Sequence, residues 1–243
     1  MMFPESALAR WFGAGLEQDA RVLKAWHDVP LTYDPALEID HNYNVDRYEV
    51  ILGIDSTPAL FERAARLALH NQFYPRQVMV SVSDYGLENR TVQPGDRVLQ
   101  RILVGQWNGL PVLEMLTMNE ITEVIEEPRR AGFTYTTTGA HAEIGEWSPM
   151  IEWRENGEVA LVICVVSRSR PGAPAWARSL SRRLQLRAHR ISIEHFKARL
   201  NGVAYIPAPQ TPNRAMKLLP VGLLLLAAVM FLLGFSSGEE SRG

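Results

Sequence analysis

From Gln77 to Arg168 the sequence alternates apolar and polar residues with a period of two, and six runs carry the pattern. They are QVMVSVSDY, DRVLQRILVG, VLEMLTMNEITEVIEE, AGFTYTTTG, WSPMIEWRE and EVALVICVVSR. Alternation of this kind puts every second side chain on one face of an extended chain, so each run reads as a strand with one buried face. Pro94-Gly95, Asn108-Gly109 and Asn156-Gly157 supply turn residues between runs, and the Glu155-Asn156-Gly157 step is the strongest hairpin signal. No helix interrupts the series at the spacing of parallel crossover units, so the strands form an antiparallel meander.

Helical patterns flank the meander. In the first 30 residues, ALARWF and DARVLKAW read as one or two short helices. Asp55-Ser56-Thr57-Pro58 places a cap before a proline. ALFERAARLALHNQFY continues as a helix with Leu60, Phe61, Ala64, Leu67 and Ala68 along one side. After Pro174 the run AWARSLSRRLQLRAHRISIEHFKARL is a second, longer helix. Trp176, Leu180, Leu184, Ala188, Ile191 and Ala198 form the face expected against the sheet, and Arg182, Arg183, Arg190 and Lys197 lie on another.

From Leu218 to Phe235 the chain reads LLPVGLLLLAAVMFLLGF without a charge. With no polar face to show water, the segment is expected to span a bilayer, over 218–237 once its ends are included. Arg214 and Lys217 precede it, and Glu239 and Glu240 follow. That bias predicts a single-pass, C-terminally anchored protein with its soluble domain on the cytoplasmic side. The N-terminal stretch MMFPESALARWF lacks the pattern of a signal peptide.

Charge is unevenly placed although the net charge is only -2. Residues 1–167 hold 24 acidic and 13 basic side chains, whereas residues 168–217 hold 11 basic ones and the single acid Glu194. Beside a membrane anchor, that cationic segment (Arg182, Arg183, Arg190, Lys197, Arg214, Lys217) is expected to face anionic lipid headgroups. Nucleic acid is not expected as a partner, because aromatics do not interleave with the arginines. The lone Cys164 in VALVICVVS allows no intrachain disulfide and reads as a small buried hydrophobe.

Several pieces together carry a family resemblance. LTY at 31–33 and YNVDRYEVILG at 43–53 are followed by LFERAARLAL at 60–69. GFTYTTTGAHAEIGEWSPMIEW occupies 132–153, then SRSRP falls at 167–171 and SRRLQ at 181–185. In order and spacing, Leu31 to Leu200 resembles the family called DUF1990, or UPF0548, placed among START-like helix-grip folds. The family's histidine-proline-glutamate turn appears here as His141-Ala142-Glu143, and Ile54-Asp55 follows Gly53 where the family has a further glycine. The resemblance implies an α+β helix-grip fold, with a curved antiparallel sheet packed on a long C-terminal helix. The expected organisation is a helical extension at 1–30, the DUF1990-like domain at 31–202, a proline-rich basic linker at 203–217, the span at 218–237 and a tail at 238–243.

The candidate site residues cluster around the fourth turn of the meander and the end of its last strand. His141, Glu143 and Glu146 lie within six residues, but 141 and 143 share a strand face that 146 does not, so they are not expected to converge on a metal ion. They read as the polar rim of a hairpin. Arg168 and Arg170, at the junction of the last strand and last helix, suit a carboxylate or phosphate, and the resemblance places that junction near a cavity entrance. Tyr135 and Trp147 read as cavity lining, as do Tyr85, Trp107 and Trp153. The expected function is a membrane-anchored domain binding a small apolar or amphipathic ligand, lipid-like being one class, between sheet and helix. The alternatives are an enzyme using His141 and Glu143 as acid and base in the same cavity, and a non-catalytic assembly domain at the membrane. No cofactor is called for, and the oligomeric state is left open.

Overall fold

The computed structural model describes residues 9–10, 16–36, 39–76, 78–107 and 110–205. Among them the elements run β1 (Ala9–Arg10), α1 (Leu16–Ala25), β2 (Asn44–Gly53), α2 (Pro58–Leu69), β3 (Met79–Ser83), α3 (Asp84–Leu87), β4 (Arg97–Trp107), β5 (Leu110–Glu127), β6 (Arg130–Thr137), β7 (Glu143–Trp153), β8 (Val159–Ser169) and α4 (Ala175–Leu200). The seven longer strands form one antiparallel sheet in the order β2-β8-β7-β6-β5-β4-β3, and β1 adds a short pairing to β5. Strands β3 to β8 are therefore the expected meander, with β2 laid along β8 at one edge. Register breaks between Leu103 and Gln106 and between Ile121 and Glu123 mark bulges, which bend a strand and tighten its twist.

The two faces of the sheet have separate cores. On the inner face, Phe61, Ala64, Ala68 and Leu69 of α2 and Phe196 and Leu200 of α4 pack against Phe133, Tyr135, Trp147, Ile151, Leu161 and Ile163. Helix α2 starts with Pro58 in its first turn, where a missing N–H costs nothing. It ends at Leu69, and Asn71 turns the chain away at φ +50°. On the outer face, Leu23, Trp26 and Val29 pack on Val82, Leu99, Leu116 and Met118. The alternation of β5 links the two: Leu116 and Met118 face outward while Ile121, beyond them, faces inward.

Helix α4 occupies the span read from the sequence, but with another face inward. Trp176 and Leu180 are 46 % and 41 % exposed, whereas Ala177, His189, Ser192, Phe196 and Leu200 are buried. The inward stripe is mixed because the sheet opposite offers polar partners. Ser181, Gln185 and His189 reach Glu143, Ser167 and Tyr48, so the apolar count alone did not fix the rotation. The first residues also differ from the helical reading of ALARWF, since Ala9 and Arg10 pair with Met115 and Glu114 of β5. Asp84 and Tyr85, read as the end of a strand, open the short helix α3, where Ser83 Oγ accepts the Gly86 N–H at 3.1 Å.

The localisation inferred from the apolar C-terminal run is corrected. Among the described residues no helix is long and apolar enough to cross a membrane, and α4, the longest, carries charge along its whole length. The run at 218–237, with Arg214 and Lys217, lies outside the described residues. The lipid-facing assignment of the cationic helix is corrected too at Arg182, which turns inward and grips Asp46 of β2 through Nη1 and Nη2 at 2.5 and 2.6 Å. Arg183, Arg190 and Lys197 are exposed.

Candidate functional site

The His141–Glu146 stretch runs from the β6–β7 turn into β7, and the turn is held by hydrogen bonds between side chains and backbone. The guanidinium of Arg170 donates to the carbonyls of Gly139 (2.7 Å), His141 (2.7 Å) and Thr138 (3.2 Å). His141 Nδ1 accepts the N–H of Glu143 at 3.0 Å, and burial holds its pKa down at about 4, so the ring is neutral. Gly145 donates its N–H to Thr137 Oγ1 at 2.9 Å. A Cβ at that glycine would sit 1.8 Å from the carbonyl oxygen of Val166 on β8, so only glycine allows the two strands to approach here. Arg170 and His141 thus brace a turn rather than present free chemistry.

The remaining residues of this group divide between the two faces. Glu146 points outward with Glu123, and its pKa is raised by burial and by that neighbouring carboxylate. Arg168 is also outward, with its guanidinium 4.7 Å from the ring centroid of Tyr43. Glu143 faces inward, accepts the Ser181 hydroxyl at 2.6 Å and has its pKa raised by burial. The carboxylate of Glu143 and the imidazole of His141 therefore have different partners, and no acid–base pair is formed between them. Tyr135 and Trp147 are brought together, stacked at 5.0 Å and 28° on the inner face.

Around that stack the inner face is crowded with rings. Phe73 meets Trp147 edge-on at 5.0 Å and lies parallel to Phe196 at 4.8 Å. Trp107 has no described side chain. At the helix side, Gln185 donates to Ser167 Oγ at 2.9 Å, and His189 meets Tyr48.

The sequence reading missed a set of polar residues beside the aromatic stack. Gln100, Thr117 and Asn119 are 2 %, 0 % and 0 % exposed. Gln100 and Thr117 are direct cross-strand partners in β4 and β5, and Asn119 stands two residues further along β5, opposite Thr137 of β6. All three point inward, since their chain neighbours Leu99, Leu116 and Met118 belong to the outer core. Among the described residues, Thr117 Oγ1, both side-chain polar atoms of Asn119, Gln100 Nε2 and Trp147 Nε1 are buried without a hydrogen-bond partner. The Gln100 amide is close enough to the Tyr135 hydroxyl to favour the phenolate, but its nitrogen lacks the geometry of a bond. Burial dominates at Tyr135 and pushes its pKa well up, so the phenol keeps its proton. Their only signal in the sequence is position: they share the strand face of Val98 and Ile121, which belong to the inner core.

A second feature is an open cleft of about 560 Å³ at the C-terminal end of α4, lined by Leu67, Pro75, Arg76, His195, Arg199 and Tyr205 among others. None of its lining side chains is a buried polar group without a partner. Five of the buried polar atoms without partners among the described residues belong instead to Gln100, Thr117, Asn119 and Trp147 on the inner face.

A family model described as "Domain of unknown function (DUF1990)" matches residues 29–195. A search of curated proteins found no match. Among solved structures, the chain is similar to a hypothetical protein from Helicobacter pylori at 15 % identity and a TM-score of 0.46, covering 64 % of this chain and 87 % of that one. It is also similar to the ZhuI aromatase/cyclase of Streptomyces sp. R1128 at 11 % identity and 0.41, covering 65 % and 94 %. A major latex-like protein of Panax ginseng gives 12 % identity and 0.38, covering 63 % and 98 %.

Proposed function

The chain belongs to the DUF1990 family, and from that premise we propose that it binds a small, uncharged ligand on the inner face of its sheet, beside the Tyr135–Trp147 stack. The observation that carries this reading is the set of buried polar atoms without partners on Gln100, Thr117, Asn119 and Trp147. A buried polar group left unbonded costs about 1–3 kcal/mol, so a cluster of them calls for a ligand or ordered water to complete it.

The chemistry of the set describes its partner. Asn119 offers a donor and an acceptor, Gln100 and Trp147 offer N–H donors, and the hydroxyls of Thr117 and Tyr135 can act either way. None of these groups is charged at neutral pH. A carboxylate or phosphate would find no cation among them, whereas a carbonyl or hydroxyl compound finds complementary atoms. The stacked rings favour a flat ligand. Glu143, held by Ser181, is close enough to Tyr135 to act on its ionisation and marks one end of the site.

The test uses the tryptophan fluorescence of the full chain. Titration with a neutral aromatic ketone such as 1-tetralone is expected to quench Trp147, and 1-naphthoate of similar size is expected to bind at least about tenfold more weakly. Gln100→Ala and Asn119→Ala should remove the difference. Equal binding of ketone and carboxylate, or binding unchanged in both variants, would overturn the reading.

A further inference from the structure

Strand β2 is the edge of the sheet beside β8, and among the described residues its other side has no neighbour. Exposed edges invite pairing with another chain, and folded proteins usually blunt them with short strands, prolines, bulges or inward charges. This edge has little of that protection. It is ten residues long, contains no proline and departs from regular register only between Ile51 and Gly53. On its outer face it presents Val45, Arg47, Glu49 and Ile51, with Val45 65 % and Ile51 40 % exposed.

We propose that β2 pairs with β2 of a second copy of this chain, antiparallel about Tyr48, extending the sheet across a two-fold axis. The residue order singles out that register. Centred on Tyr48, Arg47 stands opposite Glu49 and Val45 opposite Ile51, and each pair occurs twice. Directly opposed residues share a face, so the registers that keep outer residues together differ by shifting the centre a whole residue. Centring on Arg47 opposes two arginines, and centring on Glu49 opposes two glutamates. Centring between residues sets outer side chains against inner ones. Among the described residues Arg47 has only long contacts, 3.5 Å to Glu49 Oε2 and 3.5 Å to Cys164 Sγ. Glu49 keeps Arg154 at 2.8 Å and still projects 40 % of its side chain to solvent. The inner face of β2 is already occupied by α4 through Asp46 and Tyr48, so the second copy meets the strand edge and its outer side chains. One strand pair is a small interface, and the expected affinity is on the order of 1–100 μM.

Sedimentation of the full chain tests this with two charge variants. Wild type is expected to shift from monomer to dimer as concentration rises through that range. Arg47→Glu opposes glutamates at both positions of the pair, and Glu49→Arg opposes arginines, so each alone should associate at least about tenfold more weakly. When the two variants are mixed, the paired acids of one strand face the paired bases of the other at both positions, and an affinity tag on one should retain the other. Recovery in the mixture also shows that both variants are folded. A wild type that stays monomeric at about 200 μM, variants that self-associate like wild type, or a mixture that fails to recover association would overturn the proposal. Association through any other part of the chain would not follow this charge pairing.

Discussion

The imidazole of His189 meets the ring of Tyr48 edge-on, with centroids 5.3 Å apart and Nδ1 3.4 Å from the phenolic oxygen. This contact joins the centre of α4 to the edge strand β2. Burial pushes the histidine pKa down to about 4, from an ordinary 6.5, despite the attraction of Asp46. In the unfolded chain the ring takes up a proton at higher pH than in the folded one. Between pH 6.5 and 4 the unfolded state therefore binds more protons, and stability falls as the pH falls. The expected loss from this residue is on the order of 1–3 kcal/mol. Urea unfolding of wild type and His189→Gln at about pH 7, 5.5 and 4.5 checks it. The variant's stability should depend less on pH across that window, and parallel curves would remove His189 from the account.

Two turns before His189, Arg182 grips Asp46 with both terminal nitrogens, at 2.5 and 2.6 Å, and also donates to Gln185 at 2.9 Å. The pair is half-buried, with side-chain exposures of 28 % and 16 %, so solvent screens part of its attraction. A double-mutant cycle with Asp46→Asn and Arg182→Gln should give a coupling energy of about 1–2 kcal/mol. The Asp46 carboxyl is held below its usual range by Arg182, and its stabilising effect is lost as the pH falls through that depressed value. A coupling near zero would mean that α4 is positioned by its buried residues alone.

The two strands β7 and β8 meet so closely at Gly145 that an added methyl would lie 1.8 Å from the carbonyl oxygen of Val166 and 2.9 Å from the Ser167 Cα. The obstruction is backbone and cannot swing aside. Gly145→Ala is expected to be among the more damaging single substitutions in the chain, costing about 3 kcal/mol or more, and it would loosen the hydrogen bond from Gly145 N to Thr137. Thermal unfolding against wild type measures this. A change within about a degree would show that the strands separate without cost.

The contrast between strands and long helix shows what sequence pattern can and cannot fix. Strands were legible because period two leaves only two faces to choose between, although β8, apolar from Val159 to Val166, is buried on both. Helix α4 offers many rotations, and its bounds were clear from Pro174 and the long uninterrupted run. Its inward face is not clear from the sequence, because Ser181, Gln185 and His189 face partners contributed by distant strands and Ser192 bonds back to the His189 carbonyl. Strand β2 has no clean apolar side to read, since Asp46 and Tyr48 occupy one face and the charges of Arg47 and Glu49 the other. The candidate site divided for a related reason. His141, Glu143 and Glu146 are close in sequence, yet one braces a turn, one faces in and one faces out. Gln100, Thr117 and Asn119 are brought together by strand pairing and had no local signal apart from their inward positions.

Thr117 provides the sharpest separation between an unfilled binding site and a hydrated core. Its hydroxyl is fully buried, faces Gln100 across the strand pair and has no hydrogen-bond partner among the described residues. Valine has nearly the same shape and no polar atom to leave unbonded. If the hydroxyl awaits a ligand, Thr117→Val removes a desolvation cost from the free protein and should stabilise it by about 1 kcal/mol. The same variant should bind 1-tetralone more weakly, because one of the groups meant to meet the ligand is gone, and stability and binding then move in opposite directions. If ordered water already completes the hydroxyl, the substitution loses that bond and stability should fall by about 0.5–1.5 kcal/mol. Thermal unfolding of the free protein, with a fluorescence titration of the same preparation, gives both quantities. A destabilised variant with unchanged ligand affinity would take Thr117 out of the site and weaken the case for its neighbours Gln100 and Asn119.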